Sequence, residues 1–199
     1  MGAFIDPPTK IPFYLKIGIW VSNRVIGRDL LPPKLLAWYP KAAISSGILE
    51  ALVANGKRDL DKRLLKIIRI QTSLTVSCPF CLDMNSFEYG QAGITNQEIS
   101  ALQGLTDLET VTTFSPQEKL VIKYVKCIAQ TPIAVPADLV KELAKYFNER
   151  EIVIIATTCA QVDYWARLLQ ALGVPPAGFS DTCQVNRAGR QPMHAGEDF

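Results

Sequence analysis

The sequence predicts an all-α protein, a multi-helical bundle, on three observations. Strand signals are nearly absent, because no Asn-Gly or Asp-Gly turn joins two alternating runs of apolar and polar residues. Residues that start helices and glycines that end them recur along the chain instead. Between these signals, apolar residues return every three or four positions, the period of one helix face. We therefore expect the chain to fold as packed helices.

Three helices are expected in the first part of the chain. An amphipathic segment runs from Ile11 to about Gly27, and a second helix starts at Pro40 and ends at Asn55-Gly56. Asp59 is suited to cap the third helix. The apolar residues of that helix are so dense that most of its surface must be buried: Leu64, Leu65, Ile67, Ile68 and Leu74. We expect this helix at the centre of the core.

The remaining helices are predicted from their caps. Ser77 is suited to cap a helix from Cys78 to Ala92, which Gly93 would end. Capping boxes open two later helices, at Thr95–Glu98 and Ser115–Glu118, and a last long helix starts at Asn148–Glu151 and runs to Leu172. We assign residues 1–40 to an N-terminal helical arm, 41–180 to a helical domain and 181–199 to a polar C-terminal tail.

Composition excludes several classes of function. The 199 residues are 48% hydrophobic with a net charge of +2, and they contain no long basic run, so nucleic acid is not an expected partner. Lys16, Asn23 and Arg24 interrupt the N-terminal apolar stretch, which is too broken for a membrane-spanning helix. No secretory signal pattern is present, so we expect a cytoplasmic protein that does not associate with a membrane.

Among five cysteines, only Cys78-Pro-Phe-Cys81 forms a close pair. Residues three apart lie on the same face of a helix, about 4.5 Å apart along its axis, so this pair can reach disulfide geometry. A helix N-terminus also favours the thiolate, which is the reactive form. This spacing therefore suits reversible redox chemistry.

Three other interpretations of the pair remain open at this point: buried structural cysteines, half of a metal site, and a thioredoxin motif. No βαβ pattern surrounds the pair, which argues against thioredoxin. A zinc site would need further ligands, and the chain offers only His194 in the tail and three scattered cysteines: Cys127, Cys159 and Cys183. Cys127 and Cys159 fit apolar helix faces, and Cys183 is expected as a free thiol in the tail. We expect no metal.

The segment from Cys78 to Ile99, with its Gly93-Ile94-Thr95 turn, resembles the core of the alkylhydroperoxidase D/carboxymuconolactone decarboxylase family. In that family a Cys-x-x-Cys opens a helix and a Gly-Ile/Leu-Ser/Thr turn leads to the next one. Similar stretches follow at Phe114–Lys119, Phe147–Val153, Tyr164–Val174 and Gly178–Ser180. The resemblance spans about Asp59 to Ser180.

The resemblance implies an all-helical fold and a homo-oligomer, either a dimer, a trimer or a hexamer. It also implies a thiol-dependent peroxidase-like or disulfide oxidoreductase that acts on a small hydroperoxide or disulfide and needs no metal or organic cofactor. In this interpretation Cys81 attacks the peroxide, Cys78 resolves the sulfenic acid, and a dithiol protein reduces the resulting disulfide.

The chain departs from the family at two positions. Peroxidase members carry a histidine four residues after the second cysteine and a glutamate twelve before the first, where this chain has Asn85 and Lys66. Asn85 cannot exchange a proton at pH 7. Glu88 lies on the same helical stripe as Cys81 and Asn85, where it would accept a proton through Asn85 or water, or else it is an exposed helix carboxylate. Lys66 would lower a thiolate pKa if it faces the site, or else it is a solvated lysine.

Other polar and aromatic residues near the motif are expected to be structural. Asp83 is expected to be exposed or to act as a cap, and three residues of the last helix are expected in core packing or subunit contact: Tyr164, Trp165 and Arg167. Two alternative functions remain. One is a lactone decarboxylase-type enzyme, and the other is a redox-responsive structural protein that has lost the family proton relay.

Overall fold

The computed structural model describes residues 2–52 and 60–180, and within these two ranges it contains helices and no strand. The all-α prediction is confirmed. The described ranges hold nine α-helices: α1 Phe13–Ile26, α2 Leu31–Leu35, α3 Pro40–Leu52, α4 Lys62–Thr75, α5 Pro79–Ser86, α6 Asn96–Leu102, α7 Pro116–Ala129, α8 Ala137–Tyr146 and α9 Glu149–Ala171. Short 3₁₀ turns lie at 36–38, 89–92 and 108–110.

Helix α4 lies at the centre of the core, as its dense apolar pattern predicts. It packs against α5, α7 and α9. Leu65 and Ile68 join a cluster with α7, α8 and α9, whereas Ile67 and Ile70 join a second cluster with α5, α6 and α7. Because two opposite faces of α4 are buried, this helix holds the two halves of the core together.

Most helix starts follow their predicted caps. The three capping boxes at Thr95, Ser115 and Asn148 are formed, each with both reciprocal hydrogen bonds. Helix α4 is capped by Asp61, whose carboxylate accepts the Arg63 backbone N–H at 3.1 Å. The expected cap Asp59 and the helix end at Asn55-Gly56 lie outside the described residues.

The prediction for the helix of the cysteine motif is wrong at both ends. Ser77 has φ +51° and precedes the cap, and Cys78 is itself the N-cap of α5. The helix ends at Ser86 instead of Ala92, because Glu88 has φ +52° and a 3₁₀ turn follows it. Gly93 adopts φ +73°, as predicted.

The two ends of the described chain pack against this motif. Leu30 and Leu35 share a buried cluster with Cys78, Phe80 and Cys81. At the other end, Asp83 is 4% exposed, and its two carboxylate oxygens accept the N–H groups of residues 177 and 180 at 2.8 and 2.7 Å. The expectation of an exposed or capping Asp83 is therefore wrong: it anchors the segment after α9.

Within the described residues, α9 is the one helix whose length and composition would allow it to cross a membrane. Four apolar residues of α9 are buried among α4, α5 and α7: Ile154, Ile155, Cys159 and Val162. Its apolar character is thus explained by its position in the core.

Candidate active site

The cysteine pair lies at the start of α5, where the chain leaves α4. The sulfur atoms of Cys78 and Cys81 are joined in a disulfide, with their Cα atoms 5.3 Å apart. The Cys81 backbone N–H donates to Cys78 Sγ at 3.2 Å, so the sulfur occupies the position of a capping oxygen. Pro79 fills the first helical position, where no N–H is required. This arrangement matches the redox geometry predicted from the spacing.

A cavity of about 290 Å³ opens beside the pair, and Cys81 lines it whereas Cys78 does not. Its apolar wall includes Leu30, Pro32, Phe80, Met84, Val162 and Leu169. Its polar wall includes Glu50, Lys66, Arg69, Asn85 and Gln161. Small-molecule sites have this character, mainly apolar with a few convergent polar groups.

A chain of hydrogen bonds determines the orientation of the Asn85 side chain. Ser73 Oγ donates its single hydrogen to the Arg69 carbonyl oxygen at 2.7 Å. Asn85 Nδ2 must therefore be the donor in its 3.0 Å contact with Ser73 Oγ. The Asn85 amide oxygen is then directed away from this bond, and Asn85 can offer the cavity a hydrogen-bond acceptor.

Lys66 reaches the same cavity from α4, and its ammonium donates to the Phe87 carbonyl oxygen at 2.7 Å. Burial and the nearby charge of Arg69 lower the pKa of Lys66, while Glu88 opposes that shift. The expectation that Glu88 shares a helix face with Cys81 and Asn85 is wrong, because α5 ends before it. Glu88 is exposed, and its negative charge acts to raise the pKa of Lys66.

Three polar residues of the site were missed by sequence reasoning: Glu50, Arg69 and Gln161. Glu50 lies on α3, and its Oε2 accepts hydrogen bonds from Gln161 Nε2 at 2.6 Å and Trp165 Nε1 at 3.0 Å. Burial lowers the pKa of Arg69, and the Glu50 carboxylate opposes that shift. No motif marks Glu50, because it is brought to the cavity only when α3 packs against α9.

Comparison with known proteins gives no match to a family model. Among curated relatives, the chain is 21% identical to uncharacterized protein YnjA of Escherichia coli, over 87% of this chain and 94% of that protein. It is 25% identical to uncharacterized protein YdfG of Bacillus subtilis, over 57% of this chain and 76% of that protein.

Solved structures are more informative about the fold. A putative antioxidant defence protein AhpD of Agrobacterium tumefaciens superposes with TM-score 0.62 and 22% identity, over 71% of this chain and 94% of that one. A peroxidase-related protein of Silicibacter reaches 0.74 with 15% identity, over 89% and 96% of the two chains. The chain has the alkylhydroperoxidase D-like fold. A variant of the debrominase Bmp8 in complex with 2,3,4-tribromopyrrole has the same fold, with TM-score 0.74 and 17% identity over 92% and 96%.

Tyr164 and Trp165 of α9 contact α3, and Trp165 also lines the cavity. The Tyr164 hydroxyl lies 2.7 Å from Ser46 Oγ, and Trp165 holds Glu50, so both tie α9 to α3. Arg167 is exposed and pairs with Asp163 at 3.0 Å.

The other cysteines of this alkylhydroperoxidase D-like chain lie away from the pair. Cys159 is buried, as predicted, and burial raises the pKa of its thiol to about 11. Cys127 is half-buried on α7 rather than fully in the core. Within the described residues, no group of three or more His, Cys, Asp or Glu could hold a metal ion. His194 and Cys183 lie outside the described residues.

Proposed function

We propose that this protein is a thiol peroxidase that reduces small organic hydroperoxides through Cys81 and Cys78. The observation that carries the proposal is that Cys81 lines an apolar cavity while Cys78, bonded to it, lies behind it and is fully buried. A substrate entering the cavity would meet Cys81 first. Cys78 is placed to react only with Cys81.

The proposed reaction balances in two steps. The Cys81 thiolate attacks the terminal oxygen of the hydroperoxide, the O–O bond breaks, and the alcohol leaves after taking up a proton. Cys81 is now a sulfenic acid. The Cys78 thiol attacks Sγ of Cys81, a disulfide forms, and water leaves. A dithiol protein then reduces the disulfide by exchange and becomes oxidised itself.

The contacts around the pair fit these roles. The Cys81 N–H that donates to Cys78 Sγ favours a negative charge on that sulfur, which makes Cys78 the better leaving group when the reductant attacks Cys81. Asn85 offers an acceptor that can orient the S–H or O–H group of a reactant in the cavity. Lys66 adds a positive charge along the same wall, which favours a thiolate at Cys81.

The test is the consumption of tert-butyl hydroperoxide by the reduced protein with a dithiol reductant. Cys81→Ser should abolish consumption. Cys78→Ser, reduced beforehand and assayed after the dithiol is removed, should allow one turnover and leave a sulfenic acid that a dimedone reagent traps. Cys127→Ser is the matched control, since this half-buried thiol lies outside the cavity, and it should behave like wild type. Equal, slow consumption by all four proteins would refute the proposal.

A further inference from the structure

Two cations line the cavity that contains Cys81. Lys66 and Arg69 lie one turn apart on α4, and both side chains are half-buried in a wall that is otherwise largely apolar. Burying a cation costs free energy, because charged groups are poorly solvated in an apolar wall. A nearby negative charge lowers that cost. Burial lowers the pKa of both residues, which agrees with that unfavourable environment.

The lining residues supply one carboxylate against these two cations. Glu50 is that group, and its Oε2 already accepts hydrogen bonds from Gln161 and Trp165. Glu88 acts on Lys66 from outside the cavity and is exposed to solvent, which screens it. Among the residues that the structure describes, those that line the cavity thus carry a net charge of +1, which one anionic group of a ligand would neutralise.

The apolar wall and the small volume of the cavity further restrict the kind of ligand that fits. Phe80, Met84, Val162 and Leu169 lie on the wall contributed by α5 and α9, and the cations lie on the wall contributed by α4. A volume of about 290 Å³ is at the lower end of ligand cavities, which suits a small organic molecule. A ligand that satisfies both walls has an apolar body and one negative charge.

We propose that the substrate is an amphipathic organic monoanion, a hydroperoxide that carries a carboxylate. Its carboxylate lies against Lys66 and Arg69, its hydrocarbon body contacts the apolar wall, and its O–O bond lies at Cys81. This inference names the substrate class of the proposed peroxidase and so rests on that function.

The test compares a medium-chain hydroperoxy acid with its methyl ester, which removes the charge and little else. In wild type, kcat/KM should be about tenfold higher for the acid, the effect of one charge-assisted contact. Lys66→Gln and Arg69→Gln should each reduce that ratio towards one, and Arg69→Lys should retain most of it. Lys141→Gln, which removes a 77% exposed lysine on α8, is the matched control and should keep the wild-type ratio.

Each outcome separates this inference from the function on which it rests. Equal rates for acid and ester in wild type, with tert-butyl hydroperoxide still consumed, would overturn the anionic substrate and leave the peroxidase intact. A tenfold ratio that survives in both glutamine variants would also overturn it. If no hydroperoxide is consumed, the peroxidase proposal fails. Calorimetric binding of decanoate but not methyl decanoate by the Cys81→Ser variant then supports the anion site, and equal binding refutes it.

Discussion

Position 85 carries an amide, where peroxidase members of the similar family carry the imidazole of a histidine. This difference determines whether the side chain can transfer a proton. The amide is fixed by donation to Ser73 and can accept a hydrogen bond, but it does not titrate near neutral pH. Two basic side chains, Lys66 and Arg69, lie on the cavity wall, and Lys66 is half-buried and donates to the Phe87 carbonyl. Under the proposed function, the Cys81 thiolate must therefore form without help from a histidine at position 85.

Asn85→His should raise the rate of hydroperoxide reduction by about tenfold or more, because general acid-base catalysis typically contributes 10²- to 10⁴-fold. A histidine here would lie beside Ser73 at the same cavity, and the ordinary pKa of histidine, about 6.5, allows it to exchange a proton near neutral pH. The rate should be measured by stopped flow under single-turnover conditions. Asn85→Gln, which keeps an amide, is the control. No gain from histidine would mean that proton transfer does not limit the reaction.

At the scale of elements, Arg63 joins the starts of three helices. It lies in the first turn of α4, and it pairs with Glu98 of α6 at 2.5 Å and with Glu118 of α7 at 2.7 Å. Both glutamates are the third residues of capping boxes, so each also accepts the N–H of its own cap, Thr95 or Ser115, at 2.8 Å. Each of the two carboxylates therefore takes part both in its local helix cap and in the long-range ion pair with Arg63.

Glu98→Gln should destabilise the fold by about 3 kcal/mol at pH 7, because it leaves Arg63 with one carboxylate partner instead of two. Burial opposes the charge on Glu98, but hydrogen bonds from Arg63 and the backbone of Thr95 prevail, and its pKa is lowered. A lowered carboxyl pKa contributes stability above the ordinary glutamate value of about 4.3, and that stability is lost as pH falls through the folded-state pKa.

The measurement is urea unfolding of wild type and Glu98→Gln between pH 7 and pH 3. The difference in the free energy of unfolding should shrink towards acid, since the wild-type carboxyl then becomes protonated. Glu109→Gln removes a carboxylate from an exposed pair with Lys123 and should have little effect at either pH. A difference that stays constant from pH 7 to pH 3 would contradict the lowered pKa.

At the scale of the whole molecule, the outer faces of α1 and α3 are strongly apolar. Six large hydrophobic side chains of α1 are exposed: Phe13, Tyr14, Ile17, Trp20, Val21 and Val25. Three more lie four residues apart on α3: Ile44, Ile48 and Leu52. Adjacent exposed apolar faces of this size are typical of an interaction surface. We propose that a second copy of the chain covers them, as the family resemblance implies.

Trp20→Glu should therefore shift the protein from an oligomer to a monomer, because it places a charge in the centre of the α1 face. Trp20 is 66% exposed in the single chain, so the change should not disturb the fold. Sedimentation velocity measures the result. Leu105→Glu, a substitution at a 63% exposed apolar residue after α6, should leave the assembly unchanged. A monomeric wild type would refute the proposal.

The sequence by itself determined the helical class, the central position of α4, the three capping boxes and the proximity of Cys78 and Cys81. These features depend on residues within one or two turns of each other, where spacing and caps decide the outcome. The tertiary structure decided the rest. Glu50, Asp83 and the cavity beside Cys81 depend on partners about a hundred residues away, and no local pattern encodes those contacts. The end of α5 at Ser86 was also decided there, by a backbone turn at Glu88 that propensity does not predict.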